Sequence, residues 1–343
     1  MYSNVKEYNQ IYQTMSTFQA FYITENEDKT FSQNIIERKI EDLPAGEVLI
    51  KVQYSSLNYK DALSSTGNRG VTRNYPHTPG IDAVGIVEDS QSTDFQKGDK
   101  VLVTGFDLGM NTAGGFGQYI RVPAKWVVKL PRGLKPKESM IFGTAGLTAA
   151  LCIDKLLQNG LTPEKGKVIV TGATGGVGTM AVMILAKLGF HVVGVTGKPE
   201  GKDFLLKIGA KEVISREEVD DKSGRPLLKG VYAACVDTVG GNMLATILKS
   251  MQYNGVVAIC GLVNSPELPT SVFPFILRGV SMFGIDSSEC DIEWRKKMWK
   301  NLAKSWKPKG IQSITKTITI KGLSKEIKRI LKGGQMGRVI VRL

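Results

Sequence analysis

Val168-Ile-Val-Thr-Gly-Ala-Thr-Gly-Gly-Val-Gly178 is the stretch on which the fold of this chain turns. Three β-branched residues, Val168, Ile169 and Val170, read as a buried strand. The run breaks into a turn holding Gly172, Gly175, Gly176 and Gly178. Val177, Met180, Ala181, Ile184, Leu185 and Leu188 then recur at helical spacing. Strand, glycine turn and helix in that order make a cradle for a diphosphate. Glycines let the backbone approach the phosphates, and the unpaired N–H groups and dipole at the helix start favour negative charge. A glycine pattern alone is weak; its place between a strand and a helix gives it meaning.

The next strand, His191-Val-Val-Gly-Val-Thr-Gly-Lys198 with its exit loop, bears on which nucleotide is bound. In an NAD-binding unit an Asp or Glu roughly 20 residues past the glycine turn accepts a hydrogen bond from the ribose 2′-hydroxyl. This chain has Thr196, Gly197 and Lys198 there, with Arg216 following the expected third strand. A carboxylate repels a 2′-phosphate, whereas Lys and Arg pair with it. The pattern points to NADPH; the competing reading makes Lys198 and Arg216 solvated surface charges.

Lys and Arg outnumber Asp and Glu 45 to 32, for a formal net charge of +13. Such a balance suits nucleic acid, a membrane surface or a polyanionic small molecule. The cations are spread along the chain apart from short clusters such as Trp294-Arg-Lys-Lys297. That argues against nucleic acid and for a phosphorylated cofactor or substrate. Cys152, Cys235, Cys260 and Cys290 form no Cys-x-x-Cys pair, and His77 and His191 are the only histidines. We therefore expect reduced thiols, a cytoplasmic protein and no metal site. No signal peptide and no apolar run of transmembrane length is read. Residues 1–15 are polar and tyrosine-rich, and read as an N-terminal extension, an expression remnant or the product of an early start codon.

Two domains are expected from the order of elements. Over 16–136, short strands and tight turns predict a small antiparallel barrel. Its strands are expected at Phe18–Thr24, Glu47–Tyr54, Ile81–Glu88, Gly98–Val103, Gly115–Val122 and Trp126–Leu130. Over 137–304, a helix (Lys137–Asn159) precedes strands alternating with helices, the pattern of a doubly wound parallel sheet. Its strands are expected at 167–171, 191–196, 212–214, 231–236, 255–260 and 280–285. The remaining elements, 305–343, are expected to return to the barrel domain.

This arrangement resembles the medium-chain dehydrogenase/reductase superfamily from about residue 18 onward. The matching pieces are Ser55-Ser-Leu-Asn-Tyr-Lys-Asp61, Pro79-Gly-Ile-Asp82, Gly114-Gly-Phe-Gly117, Val170 to Gly178, Asp237-Thr-Val-Gly240 and Gly337-Arg338. Zinc-containing members carry Gly-His-Glu where this chain has Gly80-Ile-Asp82, and a four-cysteine lobe that is missing here. The chain is therefore most similar to the zinc-independent quinone oxidoreductase branch, with a GroES-like barrel and a Rossmann domain. Asn58-Tyr-Lys-Asp-Ala62, Cys260-Gly-Leu262, Pro274-Phe-Ile-Leu-Arg278 and Gly284-Ile-Asp-Ser287 resemble its acryloyl-CoA reductase subfamily.

The resemblance implies that Thr174, Gly175, Gly176 and Val177 cradle the pyrophosphate of NADPH. Thr196, Gly197, Lys198 and Arg216 would hold the 2′-phosphate end, with Leu262, Ile276 and Ser287 along the track toward the nicotinamide. Tyr59 and the segment around Gly334 and Gln335 would close over the cofactor from the barrel domain. The implied reaction is hydride transfer to a conjugated C=C bond, acryloyl-CoA to propanoyl-CoA, with a quinone or general enone as the alternative substrate. Tyr59 would position the nicotinamide end, relay a proton, or simply pack; Asn58 would touch substrate or stabilise its loop. Asp61 reads as a helix N-terminal charge and Asp82 as a structural hydrogen-bonding residue. Arg69 and Arg73 would meet the phosphates of a CoA ester or stand as solvated loop cations. A homodimer is implied through Val256–Leu262 and the strand near Ser281–Ile285. A non-catalytic NADPH sensor or RNA-binding protein is the reading from another class.

Overall fold

The computed structural model describes residues 17–343; the segment read as an extension, residues 1–15, lies outside the described residues. The described chain divides into two compact units. One holds the residues up to Gly143 together with 315–334 and 339–343, and the other holds 144–314 and 335–338.

In the first unit β1 (Thr17–Glu25) pairs antiparallel with β2 (Phe31–Lys39). β1 alternates, turning Phe18, Ala20, Phe21 and Ile23 into the core. β2 is absent from the sequence expectation. Its sequence, Phe-Ser-Gln-Asn-Ile-Ile-Glu-Arg-Lys, buries no residue fully, and its main-chain pairing with β1 fixes it.

Beyond it run β3 (Val48–Leu57), α1 (Tyr59–Ser64), β4 (Asp82–Ser90), β5 (Lys100–Thr104), β6 (Tyr119–Val122) and β7 (Val128–Lys129). β3 is central, with β4 antiparallel beside it and β6 pairing to its first half. Val48, Ile50, Val52, Ala83, Val87, Val101, Val103 and Ile120 fill the space these strands enclose. The chain returns late to complete this unit with β14 (Thr315–Thr319), α8 (Leu323–Leu331) and β15 (Arg338–Arg342), whose residues from Val339 pair antiparallel with the end of β3. The sheet order is β14-β15-β3-β4-β5-β7.

α2 (Pro136–Gln158) links the units. Expectation puts the boundary before this helix, but the division falls inside it at Gly143, whose φ of 51° and ψ of −157° interrupt the helical backbone. α2 also corrects the reading that no apolar run reaches membrane length. By length and composition it qualifies, yet 83% of its most apolar window is buried in the protein.

The second unit continues with β8 (Lys167–Val170), α3 (Gly176–Lys187), β9 (His191–Val195), α4 (Gly201–Lys207), β10 (Glu212–Ile214) and β11 (Tyr232–Asp237). α5 (Gly241–Lys249), β12 (Met251–Ile259), α6 (Phe273–Arg278), β13 (Ser281–Gly284) and α7 (Ile292–Leu302) follow. All six strands are parallel in the order β10-β9-β8-β11-β12-β13, which is the 3-2-1-4-5-6 order of a dinucleotide domain. The order reverses beside β8, so the crevice at its C-terminal end is the switch point where such sheets take ligands. β8 is apolar throughout Val168–Val170 because helices cover both faces of a parallel sheet.

Residues 305–314 and 335–338 pack with this second unit, against the expectation that everything from 305 belongs to the barrel. Ile311 and Ile314 are buried, and the Gly337 N–H donates to the Thr174 carbonyl at 3.2 Å.

Ile169 is fully buried among Val193, Cys235, Leu244 and Val257. Ile169→Ala is expected to destabilise the protein by about 2–5 kcal/mol through lost burial and a cavity. Urea unfolding followed by circular dichroism should show a lower midpoint with an unchanged slope.

Candidate functional site

The glycine turn after β8 has the close approaches its sequence requires. A Cβ at Gly178 would lie 2.3 Å from the Gly172 carbonyl oxygen, so only glycine lets the first turn of α3 fold back on the end of β8. Gly172 itself has a φ of +54°. α3 begins at Gly176 behind Gly175, which has no side chain to cap the first N–H groups. The Gly175 N–H is used by Gly172, at 2.9 Å. The start of a 12-residue helix thus presents backbone donors and the positive end of its dipole with no side chain in front of them.

The 196–198 loop is built for close approach of cations. A Cβ at Gly197 would lie 2.9 Å from both Cδ and Nε of Arg216, so the Arg216 side chain runs across the bare glycine. The Lys198 Nζ donates to the Gln335 carbonyl at 2.5 Å. The Thr196 hydroxyl accepts from the Lys198 N–H at 3.1 Å. Lys198 and Arg216, 18 positions apart in sequence (216 − 198), therefore flank one loop. Gln335 is buried and its Oε1 has no hydrogen-bond partner, while its Nε2 donates to the Gly337 carbonyl. A glycine-lined cradle, two cations flanking one loop and an orphaned buried acceptor are the features that a phosphorylated dinucleotide fits.

Other predicted residues are more scattered. Gln335 packs with the second unit while Gly334 groups with the first, so the segment read as a barrel-domain flap is divided between them. Ser287 is buried and accepts from the Thr148 hydroxyl at 2.6 Å; its carbonyl accepts from Arg295. Leu262 and Ile276 are 63% and 71% exposed.

Sequence reading quotes Asp237 only within a motif of the resemblance and gives it no role. Its carboxylate accepts from the Thr171 hydroxyl at 2.7 Å and from the Gly240 N–H at 2.8 Å, tying the ends of β8 and β11 together. A strand-terminal acid followed two residues on by Val-Gly was the available signal.

In the first unit, Asn58 and Tyr59 sit at the start of α1 over a buried pair of carboxylates. Asp61 accepts from the N–H groups of Asn58 (2.7 Å) and Ile81 (2.8 Å). Asp82 accepts from the Ser56 hydroxyl (2.5 Å) and the Asn58 amide (2.8 Å). Asn58 is thereby held by both acids, through its backbone and its side chain. Burial, then the nearby Asp82 charge, push the Asp61 carboxyl up to about 7, against the two N–H bonds that favour its anion. The helix-terminal reading of Asp61 thus needs extending, because full burial makes its proton a neutral-pH matter. Tyr59 stays 42% exposed.

Arg69 has partners that the sequence reading of the 67–74 loop did not include. Its guanidinium pairs with Glu25 at 2.6 Å, reaches the Arg73 carbonyl and lies over the rings of Phe31 and Tyr75. It fastens the loop to β1 and β2 and is engaged there, whereas Arg73 is exposed.

Residues 44–132 match the alcohol dehydrogenase GroES-like domain, and residues 176–304 match the zinc-binding dehydrogenase domain. With these matches and the relatives below, the chain belongs to the medium-chain dehydrogenase/reductase family of oxidoreductases, with a GroES-like and a Rossmann-type domain. It is 46% identical to YhfP of Bacillus subtilis, provisionally named a quinone oxidoreductase, over 96% of this chain and 100% of that one. The YhfP structure, with NAD bound, superposes with a TM-score of 0.93. The acrylyl-CoA reductase AcuI of Ruegeria pomeroyi is 42% identical over 94% of this chain and 98% of its own. The YhdH oxidoreductase of Salmonella enterica, in complex with NADP, is 40% identical with a TM-score of 0.92, covering 95% of this chain and 99% of its own.

Because the folded Asp61 carboxyl is raised above its unfolded value near 3.9, the native state holds a proton that the unfolded chain has released over roughly pH 4–7. Its contribution is full below pH 4 and is lost as pH rises through about 7. Urea-unfolding free energies between pH 4.5 and 8 should show wild type losing stability relative to Asp61→Asn as pH rises. A pH-independent difference would contradict the assignment.

Proposed function

We propose that this oxidoreductase reduces a C=C bond conjugated to a carbonyl using NADPH, with acrylyl-CoA to propanoyl-CoA as the reaction. The observation that carries the cofactor choice is the 196–198 loop, where Lys198 and Arg216 flank Gly197 at the position an NAD enzyme gives to a carboxylate. The substrate class rests on similarity to AcuI across nearly the whole chain.

NADPH, when bound, supplies the hydride. The backbone of Thr174, Gly175, Gly176 and Val177 holds the diphosphate at the start of α3. Thr196, Gly197, Lys198 and Arg216 hold the 2′-phosphate, Arg216 as a fork and Lys198 as a point charge. Gln335 offers its orphaned Oε1 to a hydroxyl or amino donor. Ser287, fixed by Thr148, and the exposed Leu262 and Ile276 line the remaining track, with Gly334 beside Gln335. Tyr59 orients the nicotinamide end, and Asn58, clamped by Asp61 and Asp82, presents its loop to substrate. Arg73, not Arg69, is the cation assigned to CoA phosphates.

The reaction as proposed needs no metal. Among the described residues no three His, Cys, Asp or Glu side chains cluster as a metal site, and Asp82 serves Ser56 and Asn58. The engagement of Asp82 by Ser56 and Asn58 supports a reaction carried out without a metal. The four free thiols suit a reducing compartment, the cytoplasm.

NADPH oxidation with acrylyl-CoA, a small quinone and no acceptor, each repeated with NADH, tests the proposal. High kcat/KM for acrylyl-CoA with NADPH alone is expected. Lys198→Met and Arg216→Met should each raise KM for NADPH about tenfold or more and leave NADH unchanged. Quinone turnover without acrylyl-CoA turnover would favour the reading that similarity to YhfP suggests.

A homodimer is part of the proposal. β13 is the edge of the parallel sheet, and Val272, Phe273, Ile276 and Leu277 on and beside α6 are exposed apolar residues of the same unit. An open edge with adjoining apolar surface invites pairing with a second copy across a two-fold axis. Sedimentation equilibrium should give twice the chain mass for wild type, and Leu277→Glu should shift it toward the monomer.

A further inference from the structure

We propose that Cys152 and Cys260 are a paired oxidation site, which a peroxide closes into a disulfide that weakens binding of the dinucleotide. The thiol chemistry stands on the geometry of the second unit alone; its effect on binding rests on the nucleotide reading above.

Cys260 is the first residue beyond β12, and its thiol is half-buried at the C-terminal edge of the parallel sheet. Its N–H donates to the Asp237 carbonyl at 2.9 Å, and its Sγ donates to the same oxygen at 3.4 Å. α2 is fastened to this edge. Its Thr148 bonds Ser287 at 2.6 Å, and two residues before that serine the Ile285 N–H bonds the carbonyl of Ile259, the neighbour of Cys260. Cys152 lies one turn beyond Thr148 on the same face of α2. It is fully buried, and its thiol is within hydrogen-bonding reach of Cys260.

The places of the two thiol protons follow. Cys260 gives its S–H to the Asp237 carbonyl, which leaves its sulfur lone pairs to accept from Cys152. That bond, and then burial, push the Cys152 thiol well up, so it stays protonated and shielded from water. The half-buried Cys260 is the thiol that a small peroxide reaches. Its sulfur attacks the peroxide, an S–O bond forms and the O–O bond breaks. The departing oxygen leaves with the thiol proton, and Cys260 becomes a sulfenic acid. The Cys152 sulfur then attacks the Cys260 sulfur. The S–S bond forms, the S–O bond breaks, and the hydroxyl leaves with the Cys152 proton as water. Two thiols have then given two electrons to one peroxide.

Bonding draws the sulfurs to about 2 Å. Cys152 sits within a 23-residue helix, whereas Cys260 lies just outside the strand ladder, so the movement falls on 260–262. Gly261 already presses on the Thr238 carbonyl, where a side chain would not fit, so this segment has no slack. Displacing Cys260 therefore displaces Leu262, which the nucleotide reading places along the cofactor track.

The test takes full-length protein, reduced and desalted, and treats it with hydrogen peroxide. Digestion without reductant and mass spectrometry map the cysteines; calorimetry gives the NADPH Kd before treatment, after it, and after dithiothreitol. A Cys152–Cys260 disulfide, a Kd raised about tenfold or more and recovery with dithiothreitol are expected. In Cys152→Ala the Cys260 sulfenic acid should persist and take up dimedone. In Cys260→Ala, Cys152 should stay reduced and NADPH binding should resist peroxide. Cys290→Ala should behave as wild type. Wild-type Cys260 passing on to sulfinic acid beside a free Cys152, or a disulfide to Cys235 or Cys290 instead, would overturn the pairing. A mapped disulfide with an unchanged Kd would overturn its hold on the nucleotide site. Were an alanine variant not to fold, the wild-type mapping decides, since it needs no substitution. Reduced wild-type protein that binds no NADPH would sink the nucleotide reading, while the disulfide would still stand or fall by its own mapping.

Discussion

The approach of Gly178 to the Gly172 carbonyl, 2.3 Å from where a side chain would start, is the constraint on which the second unit depends. It is a contact between two stretches of backbone, so it sets how near α3 begins to the end of β8. The crossover to β9 then carries β8, β9 and β10 to one side, and β11, β12 and β13 to the other. Asp237 makes the reversal point firm by bonding Thr171 across the two central strands. The cradle is thus a consequence of strand order as much as of glycine, because the switch point leaves the crevice open where the helix starts.

Backbone contacts of this kind are legible in sequence because glycine is their only solution. Strands 168–170, 191–195 and 232–237 were likewise readable, since strands buried on both faces are nearly pure apolar runs. β2 was not, because Phe31–Lys39 gains its place from main-chain pairing and packs only partly buried side chains. Arg69 shows the same limit at a site residue. Its neighbours in sequence suggest a loop cation, while its real partners, Glu25 and Phe31, lie on strands some forty residues upstream. The division between the units inside α2 is hard to read for a related reason: an apolar helix has one pattern from end to end, and Gly143 inside it does not mark itself as a break.

The two units meet opposite electrostatic demands with the same devices. In the second, positive potential is concentrated at Gly197 and at the start of α3, and glycines let the cations come close. In the first, two carboxylates are buried within reach of one asparagine, and burial, with the Asp82 charge nearby, raises Asp61 to about 7. Burying Asp61 and Asp82 costs stability that surface positions would avoid, so their burial argues for a demand other than folding.

Asn58 illustrates what such a demand looks like. A solvent-facing asparagine before a six-residue helix would sample several rotamers, since so short a helix contributes little order of its own. Bonding its N–H to Asp61 and its amide to Asp82 removes that freedom, and Ser56 holds Asp82 in turn. Each link is buried or half-buried, so no water competes for it on equal terms. The chain therefore enters α1 at one fixed angle, and Tyr59 projects from a rigid base although its own ring is substantially exposed. Placement of an exposed aromatic by buried acids beneath it is a division of labour in which the positioning residues never need to touch what Tyr59 touches.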